Sequence, residues 1–170
     1  MGRRTIAGHK LTFNKYRKPA ERVCPADLSG KRLQDIFVEW VKDLMEEESV
    51  ISAGGQSFFH VSDVRYFNDY IVIASTMSGK AGEEGVVYDS ESGETRLTLT
   101  VKDVPTSTAR AILICPPRGD AALWFSEYSA RSSGASLLLS VFKKRWDSFD
   151  TGTTFNKNRL IAAEIALENA

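Results

Sequence analysis

Cysteine and histidine are scarce in this chain, and each scarcity removes a class of protein. Cys24 and Cys115 are the only cysteines and stand far apart, so neither a disulfide framework nor a zinc knuckle can be assembled. A single Cys24–Cys115 bridge stays open only for an exported chain; reduced thiols in the cytoplasm are the plain expectation. His9 and His60 have no set of Cys, Asp or Glu at ligand spacing, which argues against a zinc site. Long apolar runs are missing too. Stretches such as Ala111–Cys115 fall far short of the roughly 20 residues that span a bilayer, so no membrane partner is expected. Arg3 and Arg4 are followed by TIAGHKLTF and not by an apolar export segment. The opening MGRRTI also departs from the myristoylation pattern, because Ile6 stands where Ser or Thr is needed.

What remains is an ordinary globular composition, 42% apolar and 26% charged over 170 residues, which fits one core domain. The zero net charge conceals an uneven distribution. Residues 1–22 carry +6, residues 23–94 carry −9 and residues 95–170 carry +3. A basic N-terminal segment that folds over the acidic middle, or engages a partner chain, accounts for this; so do unequal solvated faces. A globally basic nucleic-acid binder is disfavoured by the balance of charge.

The periodicities predict an α+β fold. HKLTFNKYRK (9–18) alternates Leu11 and Phe13 with polar residues as a strand does. KRLQDIFVEWVKDLMEEE (31–48) repeats apolar residues at helical spacing, with Asp27 or Ser29 placed to cap it. Lys31 and Arg32 at its start and Glu46–Glu48 at its end oppose the helix dipole, so packing must hold it. SFFHV, RYF and DYIVIASTM read as strands broken at Ser62–Asp63 and Asn68–Asp69. Residues 86–89 and 95–101 flank SESG as a hairpin, whose alternating Leu97, Leu99 and Val101 predict one buried face. ARAILIC and AALWFSEY form another pair around the turn PPRGD. The expectation is an antiparallel sheet of hairpins, with the early amphipathic helix and a later one packed on it. It divides into a basic N-terminal segment with a first strand over 1–22, a core over 23–150, and a C-terminal helical segment over 151–170. That last segment includes RLIAAEIALENA and is read as cut from something longer.

No reaction motif is complete. IVIASTMSGKA (71–81) resembles a phosphate loop, yet Ala74 and Ala81 occupy the positions that need Gly and Ser or Thr. Asp89 and Thr100-Val101-Lys102 approach the spacing of a metal-dependent nuclease, but Thr100 stands where the second carboxylate is required. No serine lies in a nucleophile elbow, and Cys115 at the end of an apolar strand reads as an inert core residue. RGD at 118–120 reads as a turn. His60, Asp63 and Asp89 are the weak catalytic candidates, for a small metal-dependent hydrolase or nuclease; a half-buried structural histidine competes with that role. No cofactor or metal is expected.

YSARSSGASLLLSVFKKRW (128–146) is the stretch richest in binding chemistry. Ser132, Ser133 and Gly134 in a loop opening a helix offer amides and hydroxyls, and Arg131 a guanidinium fork, to an anion. Lys143, Lys144 and Arg145 suit the negative end of the helix dipole, and Trp146 beside them can stack on bases. The competing reading is a capped helix with cations decorating its end.

The order of an opening strand (HKLTFNKYRK), an early helix (LQDIFVEWV), a long β stretch (FFHVSDVRYFNDYIVIAS) and late hairpins followed by SGASLLLSVFKKRW resembles a known layout. It is that of uncharacterised N-terminal modules of bacterial proteins linked to phage defence and mobile elements. The resemblance implies a scaffold or recognition module and carries over no active-site residue. The leading expectation is a non-enzymatic module binding a protein or nucleic acid through 1–22 and the Arg131/Lys143–Arg145 region. The atypical hydrolase and a homo-oligomerisation domain built on the first helix's reversed charges are the alternatives.

Overall fold

The computed structural model describes residues 4–46, 50–51, 57–80, 85–100, 106–129 and 133–160. In chain order its elements are β1 (Arg4–Lys15), β2 (Arg22–Val23), α1 (Leu33–Glu46), β3 (Val50–Ile51), β4 (Ser57–Asn68) and β5 (Ile71–Lys80). After these come β6 (Gly85–Tyr88), β7 (Thr95–Leu99), β8 (Thr106–Ile114), β9 (Ala121–Ser129), α2 (Gly134–Lys144), a 3-10 turn (Trp146–Phe149) and β10 (Thr153–Arg159). The main sheet is antiparallel in the order β10-β1-β9-β8-β5-β4-β3, with β2 also on β1; β6 and β7 pair only with each other. The expected α+β architecture is therefore present, a curled antiparallel sheet with helices packed on it.

Alternation decides which face the helices cover. Leu11 and Phe13 on β1, Val72 and Ala74 on β5, Ala111 and Leu113 on β8, Ala122 and Trp124 on β9 and Phe155 on β10 are all buried. Ile36, Phe37 and Val41 of α1 and Leu138, Leu139 and Phe142 of α2 complete this core. At its centre the aromatic rings meet edge to face, as ring quadrupoles prefer: Phe37 touches Trp124 and Phe142 at 5.3 Å, and Phe13 touches Phe155 at 5.0 Å.

Several local expectations are corrected. Neither Asp27 nor Ser29 caps α1. Asp27 accepts the Gly30 N–H within its own turn, Ser29 donates to Thr151 O, and the Leu33 N–H goes to Pro25 O at 2.8 Å. Arg32, expected to oppose the dipole, is chelated by Asp35 at 2.8 and 3.0 Å, and Tyr66 Oη donates to the same carboxylate. Glu47 and Glu48 lie outside the described residues. Strand β4 is not broken at Ser62–Asp63; a bulge between Val61 and Asp63 keeps it continuous and paired with β5. The face predicted to be buried on the 95–101 strand is not buried at Leu97, which is 55% exposed, while Leu99 is half-buried and Val101 lies outside the described residues. Thr153–Arg159, expected within a terminal helix, is the strand β10 on the edge of the sheet. Residues 161–170 lie outside the described residues. Cys24 and Cys115 are free thiols, and burial pushes Cys115 up to about 12.

Candidate functional site

Helix α2 is set down on the sheet by its first two residues. Ser133 caps it, its Oγ accepting the Ser136 N–H at 3.1 Å and donating to Glu127 O at 2.7 Å. Gly134 lies against β5 so closely that an added Cβ would stand 2.5 Å from Thr76 Oγ1. The Ser133 hydroxyl is thus committed as a cap and Gly134 serves as a close-packing point. Arg131 and Ser132 lie outside the described residues. At the far end Lys143 and Lys144 occupy the last turn, and the Arg145 N–H closes the helix on Val141 O and Phe142 O. All three cations are exposed at the negative end of the helix dipole.

Trp146 does not join them. It is 2% exposed, rings of Phe13, Phe142, Phe149 and Phe155 surround it, and its indole N–H donates to Thr153 O and Oγ1 at 3.2 Å. Its proposed stacking on bases is corrected: no ring face is free.

The cations gain company that no local pattern announces. Strand β10 brings Lys157 opposite Leu11 and Arg159 opposite His9, on the same side of the sheet as α2. Lys157 Nζ reaches Ser140 Oγ of α2 at 3.4 Å. Burial lowers the Lys157 pKa and neighbouring Lys143 lowers it further. Burial likewise lowers the His9 pKa, helped by Lys157 and Arg159, and His9 Nδ1 is buried without a hydrogen-bond partner. Lys143, Lys144, Arg145, Lys157 and Arg159 pair with no carboxylate among the described residues. The carboxylates nearest in sequence, Asp147 and Asp150, line a separate concavity of about 130 Å³ with Tyr16 and Thr151–Thr153. Burial first, and the neighbouring cations second, therefore disfavour the charged forms of both Lys157 and His9.

The N-terminal cations expected to share the site are mostly committed elsewhere. Arg4 bonds Glu127 at 2.6 Å, Lys15 and Lys18 approach Glu21 at 3.7 and 3.8 Å, and Arg17 lies over the Tyr16 ring. Among the described residues none of them forms an ion pair with a carboxylate of 23–94.

The catalytic candidates are not gathered. The β4 bulge puts His60 and Asp63 on one face, opposite Met77 and Ser75. His60 is half-buried beside the Phe58 ring at 6.5 Å, and Asp63 is exposed. Asp89 belongs to the separate β6–β7 ribbon. Its carboxylate accepts from Arg96 at 2.6 Å and from the Glu91 and Ser92 N–H groups, which hold its pKa down to about 2. No hydrogen bond joins these three among the described residues, nor do any three His, Cys, Asp or Glu side chains there group as metal ligands. Among the described residues, too, no helix is long and apolar enough to cross a membrane.

Sequence reasoning found Lys143–Arg145 and missed His9, Ser140, Lys157 and Arg159. His9 shares the face of Leu11 on β1, but the sequence leads one to expect a helix over 153–159, so only the β1–β10 register of the structure brings Lys157 and Arg159 to the same face. Neither a protein-family model, nor a curated protein, nor a solved structure matches the chain.

Proposed function

We propose that this protein is a non-enzymatic binding module that holds a nucleic-acid backbone across the α2–β10 edge. The observation that carries the reading is that Lys157 of β10 meets Lys143 of α2 on one side and, with Arg159, His9 on the other, while none of these cations pairs with a carboxylate among the described residues. Lys144 and Arg145 follow Lys143 along the chain. Phosphates are the fitting ligand because they accept from several cations at once and release counterions on binding. With Trp146 buried and no other aromatic face in the cluster, contacts to the backbone dominate and base readout is weak. The layout resemblance to recognition modules points the same way.

The test is fluorescence anisotropy with single- and double-stranded oligonucleotides across a salt series. Affinity is expected to fall steeply with salt, with a log–log slope of about −0.7 to −0.9 per phosphate engaged. The triple variant Lys143→Glu/Lys144→Glu/Arg145→Glu should weaken binding by about tenfold or more, and Lys157→Gln should lower the salt slope by about one contact. His9 supplies an independent readout: its NMR titration should move upward when an oligonucleotide occupies the cluster. An affinity indifferent to salt and to charge reversal would overturn the proposal. Tighter binding of an acidic polypeptide than of any oligonucleotide would replace nucleic acid with a protein partner.

A further inference from the structure

The concavity of about 130 Å³ that holds Asp147 and Asp150 is built from two distant parts of the chain. Tyr16 lines it from the end of β1; Trp146, Asp147, Asp150, Thr151 and Thr153 line it from the stretch that leads into β10. Hydrogen bonds pin the two parts together. The Tyr16 N–H donates to Gly152 O at 3.0 Å, and Ser29 Oγ donates to Thr151 O at 2.7 Å. The Trp146 indole N–H donates to Thr153 at 3.2 Å. Between the 3-10 turn and β10 the chain bends sharply through left-handed Asp150 (φ 55°) and Gly152 (φ 66°). A pocket held this way is formed before anything enters it, which spares a ligand the cost of ordering it.

Its chemistry combines a ring with acceptors. Tyr16 is 64% exposed, so its ring is available for stacking. Asp147 and Asp150 are exposed, and neither carboxylate has an ion pair or a hydrogen-bond partner among the described residues. Ionised carboxylates only accept, so they favour a ligand that brings N–H donors. A cationic side chain would bring them too, but it would also meet the repulsion of the nearby cations; a neutral planar ring bearing an amine would not. Position ties the pocket to those cations. Arg145 directly precedes Trp146, and Thr153 opens β10, with Lys157 about 13 Å further along the strand. That is roughly four nucleotide rises of about 3.4 Å. The Arg17 guanidinium, 5.2 Å over the Tyr16 ring, adds a cation beside the pocket.

We infer that this pocket receives one unstacked base of a single strand held on the α2–β10 edge, and that it selects bases carrying an exocyclic amine over thymine or uracil. Tyr16 stacks on the base, and Asp147 or Asp150 accepts from the amine, as carboxylates do from cytosine N4. Thymine and uracil fit poorly because their one base N–H is flanked by carbonyl oxygens that the carboxylates repel. The inference rests on the nucleic-acid reading and deepens it: backbone contacts supply the affinity, and this one pocket supplies the preference.

Anisotropy titrations of labelled dC and dT decamers with the full chain, at one salt concentration, test it. The dC decamer is expected to bind about fivefold or more tighter than dT. Tyr16→Ala should weaken dC binding by about fivefold or more, while Tyr16→Phe keeps it. Asp147→Asn/Asp150→Asn should abolish the preference without weakening dT, a pattern that misfolding, which lowers both, does not give. Equal affinity of the unaltered chain for the two decamers would overturn the pocket and leave the backbone reading standing. So would an Asn pair that tightens both decamers alike, since the carboxylates would then act by repulsion alone. Binding of neither decamer would overturn the nucleic-acid reading itself, and the pocket with it.

Discussion

Gly134 begins α2 at the point where the helix comes down on β5, and it shows how a single absent methyl can place an element. Its missing Cβ would stand 2.5 Å from Thr76 Oγ1 and 3.0 Å from Thr76 Cβ. Thr76 cannot swing aside, because it is fully buried and donates to Ala109 O at 2.7 Å. Gly134→Ala should therefore destabilise by about 1–3 kcal/mol through overpacking, although alanine is the better helix former. Urea denaturation checks this, and a double-mutant cycle with Thr76→Ala should return part of the loss. Gain of stability in Gly134→Ala would show that the helix can lift off at no cost. The same glycine illustrates a limit of local reading. In SSGAS it looks like part of an anion-binding loop, because loops that cradle phosphates and loops that need close packing both call for small residues. Trp146 shows the converse limit: sequence places it beside three cations, while burial depends on Phe13 and Phe155, both distant along the chain.

Among the elements, those held by their own periodicity were legible and those defined by a neighbour were not. The α1 pattern, with Leu33, Ile36, Phe37 and Val41 inward, follows from helical spacing alone. The strands around PPRGD follow from alternation and a turn. By contrast TTFNKNR has one inward apolar residue, Phe155, so β10 carries almost no alternating signal and exists because β1 offers an edge. The β6–β7 ribbon fails differently: its alternation is real, but alternation cannot say whether a face meets anything. Val86, Val87, Tyr88 and Leu97 are all exposed, and a ribbon of two strands is marginal in water. Its amides should exchange with solvent about two or more orders of magnitude faster than those of β5 and β8, through local opening. Leu97→Asp should shift global stability by less than about 0.5 kcal/mol, whereas Leu113→Ala in β8 should cost about 2–5 kcal/mol. Hydrogen exchange and chemical denaturation read these two outcomes, and ribbon protection equal to that of β5 would mean the ribbon is packed against something.

For the whole molecule, the ion pairs among the described residues are local, and three of their carboxylates together with His9 set how stability depends on pH. Arg32, with Tyr66 also donating, holds Asp35 below its ordinary value. Burial alone would push Glu127 up, but the Arg4 hydrogen bond and the Arg110 N–H outweigh it and the net direction is down. Asp89 is held at about 2 by Arg96 and its turn amides. Carboxylates with depressed folded values stabilise fully above their unfolded values, about 3.9–4.3, and lose that contribution as pH falls through the folded ones. His9 acts in the same sense from higher pH. Its folded value is lowered, chiefly by burial, so the folded state resists the proton that the unfolded chain takes up below about 6.5. The two windows separate the paired carboxylates from His9. The urea midpoint should stay level from about pH 8 to 7, decline gently below about 6.5, and fall more steeply below about 4.5. His9→Gln should flatten the first decline and leave the second, while Glu127→Gln should reduce the second and leave the first. Saturating oligonucleotide should also flatten the first decline, because bound phosphates raise the His9 value toward that of the unfolded chain. A first decline that survives both His9→Gln and a bound polyanion would place its origin outside the α2–β10 edge.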